Sequence, residues 1–153
     1  MKAPISWLRS LVELPHGVTT QQLADAFTRT GLQVEHIELM GNQVTGPVVV
    51  GRVVSFVEEP QKNGKTIRWC HVDCGEQFNI TDENPDVTDG RGIICGADNF
   101  AQGDYVVVAL PGAELPGGFK ISSRRTYGHV SDGMICAADE LGIGEDHTGI
   151  IVL

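Results

Sequence analysis

The sequence predicts a mainly β protein with an α+β segment at its front. Three observations lead there. Helical periodicity is confined to the stretch before Gly31. From Gly41 onward, short runs rich in Val and Ile recur, each closed by glycine or another turn former. Nineteen glycines and seven prolines in 153 residues supply the turns that a fold of short strands needs.

The elements follow in chain order. Ser6 can cap a short helix whose apolar residues Trp7, Leu8, Leu11 and Val12 share a face, with Pro15 as its stop. A second helix starts at Thr19. Thr19 and Gln22 have capping-box spacing, and Val18 and Leu23 have the spacing of a hydrophobic staple. Leu23 and Phe27 lie one turn apart, and Gly31 suits the position just past the end. "LQVEHIELM" alternates with period two and reads as a strand, although neither face is purely apolar. "PVVVGRVVSFVEE" is a long first barrel strand, with Gly51 placed for a sharp bend or a bulge. "KTIRWCHVDCG", "RGIICGA", "DYVVVALPG" and "GMICAA" are the other strands, with a short helical link expected around "ADNFAQG". Five such strands fit a Greek-key barrel of the oligonucleotide-binding (OB) type. The acidic, turn-rich "GEQFNITDENPDVTDGRG" between the second and third strands reads as an exposed loop.

Composition excludes several classes. Apolar content of 41% and charged content of 20% describe a folded globular chain. No apolar run approaches the roughly 20 residues needed to span a bilayer. The start "MKAPISWLRS" has no secretory h-region, so a cytoplasmic location is expected and Asn79 of the N-x-T triplet is not expected to be glycosylated. Cys70, Cys74, Cys95 and Cys136 match no zinc spacing and read as reduced, half-buried thiols. The histidines at 16, 36, 71, 129 and 147 form no i, i+4 pair. An EF-hand started at Asp82 fails, because Val87 stands where glycine is needed and Ile93 where glutamate is needed.

Catalytic motifs fare no better. "GHVSDG" is one residue too long for a nucleophile elbow. Ser131 and Asp132 read instead as turn residues offering acceptors to nearby backbone N–H groups, with Gly133 ahead of a strand. "LPGGF" lacks the pattern of a phosphate loop. No nucleophile–base pair, metal cluster or nucleotide loop is visible, so no catalytic residue is assigned.

The basic residues fall into two sets in a chain of formal net charge -9. Lys62, Lys65 and Arg68 flank the turn into the second strand, and Lys120, Arg124 and Arg125 precede the last. On an OB barrel the loops joining strands one to two and four to five border one ligand groove. The six are therefore candidates to meet one anionic partner, against the plainer reading of a solvated surface.

"APISWLRSLVELP", "LADAFTRTGLQVEHIE", "VVVALPGAELPGGFKI", "GHVSDGMICAADELGI" and "DHTGIIVL" together resemble the N-terminal region of bacterial phenylalanine–tRNA ligase β subunits. The barrel half alone resembles the wider tRNA-binding OB domain of methionine–tRNA ligases and free-standing tRNA-binding proteins. The resemblance implies a five-stranded OB-type barrel, about residues 39–148, inserted in a truncated α+β domain formed by 1–38 and 149–153. "TGIIVL" would return to pair with the strand at 32–39. It implies a fragment that binds tRNA as an auxiliary module and needs no cofactor itself. The parent enzyme would use ATP and magnesium and would pair with an α subunit. Two alternatives stay open: a structural or assembly module with little RNA contact, or a free-standing tRNA-binding OB protein.

Overall fold

A computed structural model describes residues 3–39, 43–79, 84 and 87–153. Asp82, the start of the rejected EF-hand, and Thr81 of the N-x-T triplet lie outside them. The chain divides into two compact units, Met1–Leu39 and Met40–Leu153.

In the first unit, α1 spans Ile5–Leu11 and α2 spans Thr20–Arg29. Pro4 rather than Ser6 is the N-cap of α1, and the helix stops before Pro15, at Leu11. Proline there has its φ preset and no N–H to satisfy, so Ser6 is drawn inside the first turn. The capping box of α2 forms in full: Gln22 N donates to Thr19 Oγ1 at 3.2 Å and Thr19 N to Gln22 Oε1 at 2.9 Å. Its far end is a Schellman motif, with Gly31 N on Thr28 O at 3.1 Å and Leu32 N on Phe27 O at 2.9 Å. The strand expected from "LQVEHIELM" is not formed over residues 32–39. Its mixed faces offer no apolar side to hold a register.

The second unit is a five-stranded antiparallel sheet that closes into a nearly complete OB-type barrel. Its strands are β1 Val48–Pro60, β2 Thr66–Asp73, β3 Arg91–Cys95, β4 Tyr105–Ala109 and β9 Met134–Ile135, in the order β3-β2-β1-β4-β9. A bond from Asp132 N to Gly92 O (2.8 Å) draws the approach to β9 back against β3. The bulge in β1 falls between Val53 and Ser55, not at Gly51. Gly51 answers a different need: a Cβ there would lie 2.6 Å from Val72 Cγ1 and 2.9 Å from Val108 Cγ2, where three strands crowd together.

The core has two parts. Val53, Cys70, Val72, Ile93, Val106 and Val108 fill the barrel, and all but the two valines at 53 and 72 and Cys70 come from β3 and β4. A second cluster of Ala109, Ala113, Leu115, Ile121, Cys136 and Leu141 lies beneath the connection from β4 to β9. All four thiols are buried, more deeply than half-burial predicts. Burial pushes Cys70 and Cys136 up to about 12 and Cys74 up to about 11, and raises Cys95.

The segment 97–103 carries no helix; Asn99 uses it to hold the chain's last residues. Its side chain donates to Ile150 O at 2.9 Å and accepts from Ile150 N at 3.0 Å. Residues 149–153 then run along the barrel, with Val152 bridging Val106, Ile151 N on Cys136 O and Leu153 N on Tyr105 O. With no strand at 32–39, the expected partner for this segment is absent, and its backbone groups are met by β4 and by Cys136. The first described residues after β2 are folded on themselves. A short helix, α3, spans Glu76–Asn79. Asn79 Nδ2 and Gly75 N both donate to Asp73 Oδ1, at 2.7 and 2.9 Å, and these bonds hold the Asp73 carboxyl below its ordinary range. No helix among the described residues is long and apolar enough to cross a membrane.

Candidate nucleic-acid interface

The connection from β4 to β9 is built from two small hairpins. β5 Glu114–Leu115 pairs with β6 Phe119–Lys120 through a turn of 3-10 helix, Pro116–Gly118. β7 Arg124–Thr126 pairs with β8 His129–Ser131. The second hairpin turns on Tyr127 and Gly128, at φ 50 and 87. Two successive positive φ values make the type I′ turn that matches strand twist. Glycine takes this conformation freely, whereas Tyr127 is strained in it and keeps its ring exposed.

The basic residues here are open to solvent. Lys120 stands 78% exposed, with Glu114 no nearer than 3.9 Å. Arg124 and Arg125 are exposed on β7, and the Arg124 guanidinium lies 5.8 Å from the centre of the Phe119 ring. Lys62 and Lys65 are exposed at the tip of the β1–β2 hairpin. That tip is shaped by Gln61 N on Lys65 O (2.7 Å) and Gly64 N on Gln61 O (3.0 Å).

A specific contact brings the two loops together. His129 Nε2, at the tip of the β7–β8 hairpin, bonds Glu59 Oε1 at 2.9 Å. Glu59 lies at the end of β1, beside the turn that carries Lys62 and Lys65. The His129 ring also stacks on Trp69 of β2, with centroids 4.3 Å apart and planes 13° apart. Asn84 Nδ2 donates to Val130 O at 2.7 Å from the loop after β2. The hairpin is thereby fastened over Trp69 on the β2 surface, one of the surfaces OB barrels use for nucleic acid. The open cationic rim is left at the loops.

Arg68 has a different environment from the other five candidates. Its side chain is 12% exposed and lies between the Phe56 and Phe100 rings, 4.4 and 4.8 Å from their centres. Nη2 bonds Glu58 Oε1 at 2.8 Å and Nη1 bonds Phe100 O at 2.7 Å. Arg91, not singled out from sequence, is equally occupied. It pairs with the buried Asp132 at 2.6 Å and also donates to Phe78 O. Asp132 accepts from Ser123 Oγ at 2.5 Å, and Ser131 Oγ accepts from Ile94 N at 3.0 Å and donates to Gly133 O at 3.2 Å. The Ser–Asp–Gly turn does not cap nearby backbone as expected: Ser131 accepts from the distant Ile94 N, and Asp132 accepts from side chains. Its reach is tertiary, tying the basic hairpin to β3.

Sequence reasoning also passed over Phe119 and Tyr127, exposed aromatics set among the arginines and lysine. Alternating aromatic and basic residues in one loop was the available signal. Among the described residues, no three His, Cys, Asp or Glu side chains come together to hold a metal ion.

This barrel with a cationic, aromatic-bearing rim defines a class, and comparison places the chain in it. It belongs to the family described as putative tRNA binding domain, whose profile matches residues 48–153. The whole chain is similar to phenylalanine–tRNA ligase beta subunits. It is 55% identical over 156 residues to that of Cutibacterium acnes, covering 100% of this chain and 19% of the relative. The Bifidobacterium longum protein is 56% identical over 149 residues, covering 97% and 17%. The Thermobifida fusca protein is 55% identical over 153 residues, covering 100% and 17%. The chain thus spans about a fifth of the length of the curated relatives it matches.

Proposed function

We propose that this chain is an auxiliary tRNA-binding module of a phenylalanine–tRNA ligase beta subunit and takes no part in the chemistry. The observation that carries this is the open trio Lys120, Arg124 and Arg125. These are the only lysines or arginines from residue 92 onward, and they cluster within six positions. The parent enzyme would join phenylalanine to tRNA using ATP and magnesium, in partnership with an alpha subunit. Lys62 and Lys65 extend the same rim. Arg68 acts in this reading through the barrel, since its guanidinium is held by Glu58 and Phe100 O.

The test is a tRNA titration of the 153-residue chain at several salt concentrations. Three phosphate contacts on looped or single-stranded RNA give a log–log slope of about −2. Affinity should be weak, in the range of about 10⁻⁴ to 10⁻⁶ M, because the rest of the surface is acidic. Changing Arg124 and Arg125 together to Glu should abolish binding and leave the circular dichroism unchanged. Equal, salt-insensitive binding by both proteins would reject the patch.

A second reading, an assembly module, draws on Val50 and Tyr105, 54% and 52% exposed on the neighbouring strands β1 and β4. Absence of tRNA binding even at low salt would favour it. We also propose that residues 1–38 and 149–153 belong to one interrupted domain. Ala24 is the single buried residue among 3–39, so that unit needs further cover for Trp7, Leu11 and Leu32. Deletion of 149–153 that left amide exchange in α2 unchanged would argue against this.

A further inference from the structure

We propose that the cleft beside Arg124 receives one unstacked nucleobase of the bound RNA. This deepens the tRNA-binding reading and rests on it. The cleft has a volume of about 170 Å³. Ile94 of β3, Phe119 of β6, Thr126 of β7 and Met134 of β9 line it, with Ile121 between the hairpins and Arg124 as its charged wall. Three neighbouring strands of the segment 119–135 and the distant β3 therefore converge on one apolar recess.

Its size suits a single planar base. Pockets for whole drug-sized ligands occupy about 300 to 1,000 Å³, so a complete nucleotide would not be enclosed. The sugar and phosphate would stay outside, within reach of Arg124 and Arg125. Phe119 is 47% exposed, with the Arg124 guanidinium 5.8 Å from its ring centre, an aromatic and a cation side by side for a base to stack on. Ser122 and Thr126 place hydroxyls at the wall, able to meet a base edge as donor or acceptor.

Charge selects this occupant. The chain carries 20 acidic residues, yet among the described residues none lines this cleft. The second cleft of the barrel is lined by Glu58 and Asp98, with Arg68 already paired to Glu58, and would repel a polyanion. A neutral apolar side chain of a protein partner would gain nothing from Arg124 at the wall. A base carries its own phosphate there. Recognition by stacking tolerates sequence, so the cleft should accept any unpaired base of suitable placement.

Phe119→Ala is the direct test, since Phe119 is exposed and its loss leaves both core clusters intact. Affinity for tRNA should fall roughly five- to a hundredfold while the salt slope stays near −2. Phe119→Tyr should restore binding. In methyl NMR spectra, Ile94 and Met134 should shift on adding a short single-stranded oligoribonucleotide. They should not shift with an abasic ribose-phosphate oligomer of equal length. Wild-type affinity in the Ala variant, or equal methyl shifts with the abasic oligomer, would overturn the base-binding cleft while leaving the phosphate contacts standing. Shifts of the Lys120–Arg125 amides with the Ile94 and Met134 methyls unmoved would do the same. Failure of the wild-type chain to bind any tRNA would remove both this inference and the reading beneath it.

Discussion

Arg68 and Arg91 lie on barrel strands, and each has its guanidinium bonded to a carboxylate and a backbone carbonyl. Arg124 and Arg125 lie on a short outer hairpin and keep their charge in water. All four belong to a chain that is strongly acidic overall. The difference lies in whether a carboxylate reaches the guanidinium. Arg68 is in register with Glu58, and Arg91 meets Asp132, which is 41 positions away in sequence. Arg124 and Arg125 are in register with Ser131 and Val130, neither of which can neutralise them. A cation held by a carboxylate works as a structural link, and one that no described carboxylate meets remains available to a ligand.

Breaking the Asp132–Arg91 pair should have the largest effect. Asp132→Ala leaves the mostly buried guanidinium unpaired and releases Ser123 as well. We expect a loss of about 3–5 kcal/mol in urea unfolding. A loss below about 1 kcal/mol would mean that this arginine is no more structural than Arg124.

Arg68→Met should cost less, about 1–2 kcal/mol, because Glu58 is 55% exposed and its attraction is screened. tRNA affinity extrapolated to fully folded protein should be unchanged. A drop in affinity without a drop in stability would move Arg68 into the hairpin class.

The thiols sharpen the contrast through pH. The folded state holds Cys70 and Cys136 protonated up to about 12, against an ordinary value of 9.0. A raised pKa stabilises the fold fully below the unfolded value. That contribution is lost as pH climbs from about 9 towards 12. Stability should therefore be indifferent to these groups at neutral pH and fall in alkali. Iodoacetamide at pH 8 should label them only as fast as the barrel unfolds. Rapid labelling of the native protein at all four cysteines would contradict the sealed core.

The smallest effect should come from Arg124→Glu with Arg125→Glu, within about 0.5 kcal/mol of wild type in unfolding. Unfolding of this variant would show that the hairpin arginines hold the structure too.

Much of this was legible in the residues. The α2 capping box, the order and extent of the long strands, and the two exposed basic loops depend on neighbours a few positions apart. Periodicity and turn chemistry report such neighbours directly. The six candidate cations were found the same way, and five of them are open as their loop positions suggested. Arg68 looked the same as the others because nothing within its own turn betrays the Phe56–Phe100 rings around it. The bulge at Val54 rather than Gly51, the missing strand at 32–39 and the docking of 149–153 against β4 and Cys136 were equally hidden. Each depends on which strand lies alongside. The fate of a charge or a backbone hydrogen bond is set by its partner, and in an antiparallel barrel that partner can come from anywhere in the chain. Local sequence therefore defined the pieces and which cations were near turns. Long-range pairing alone settled which of those cations were neutralised, and brought Ile94 to the cleft that Phe119, Arg124 and Met134 line.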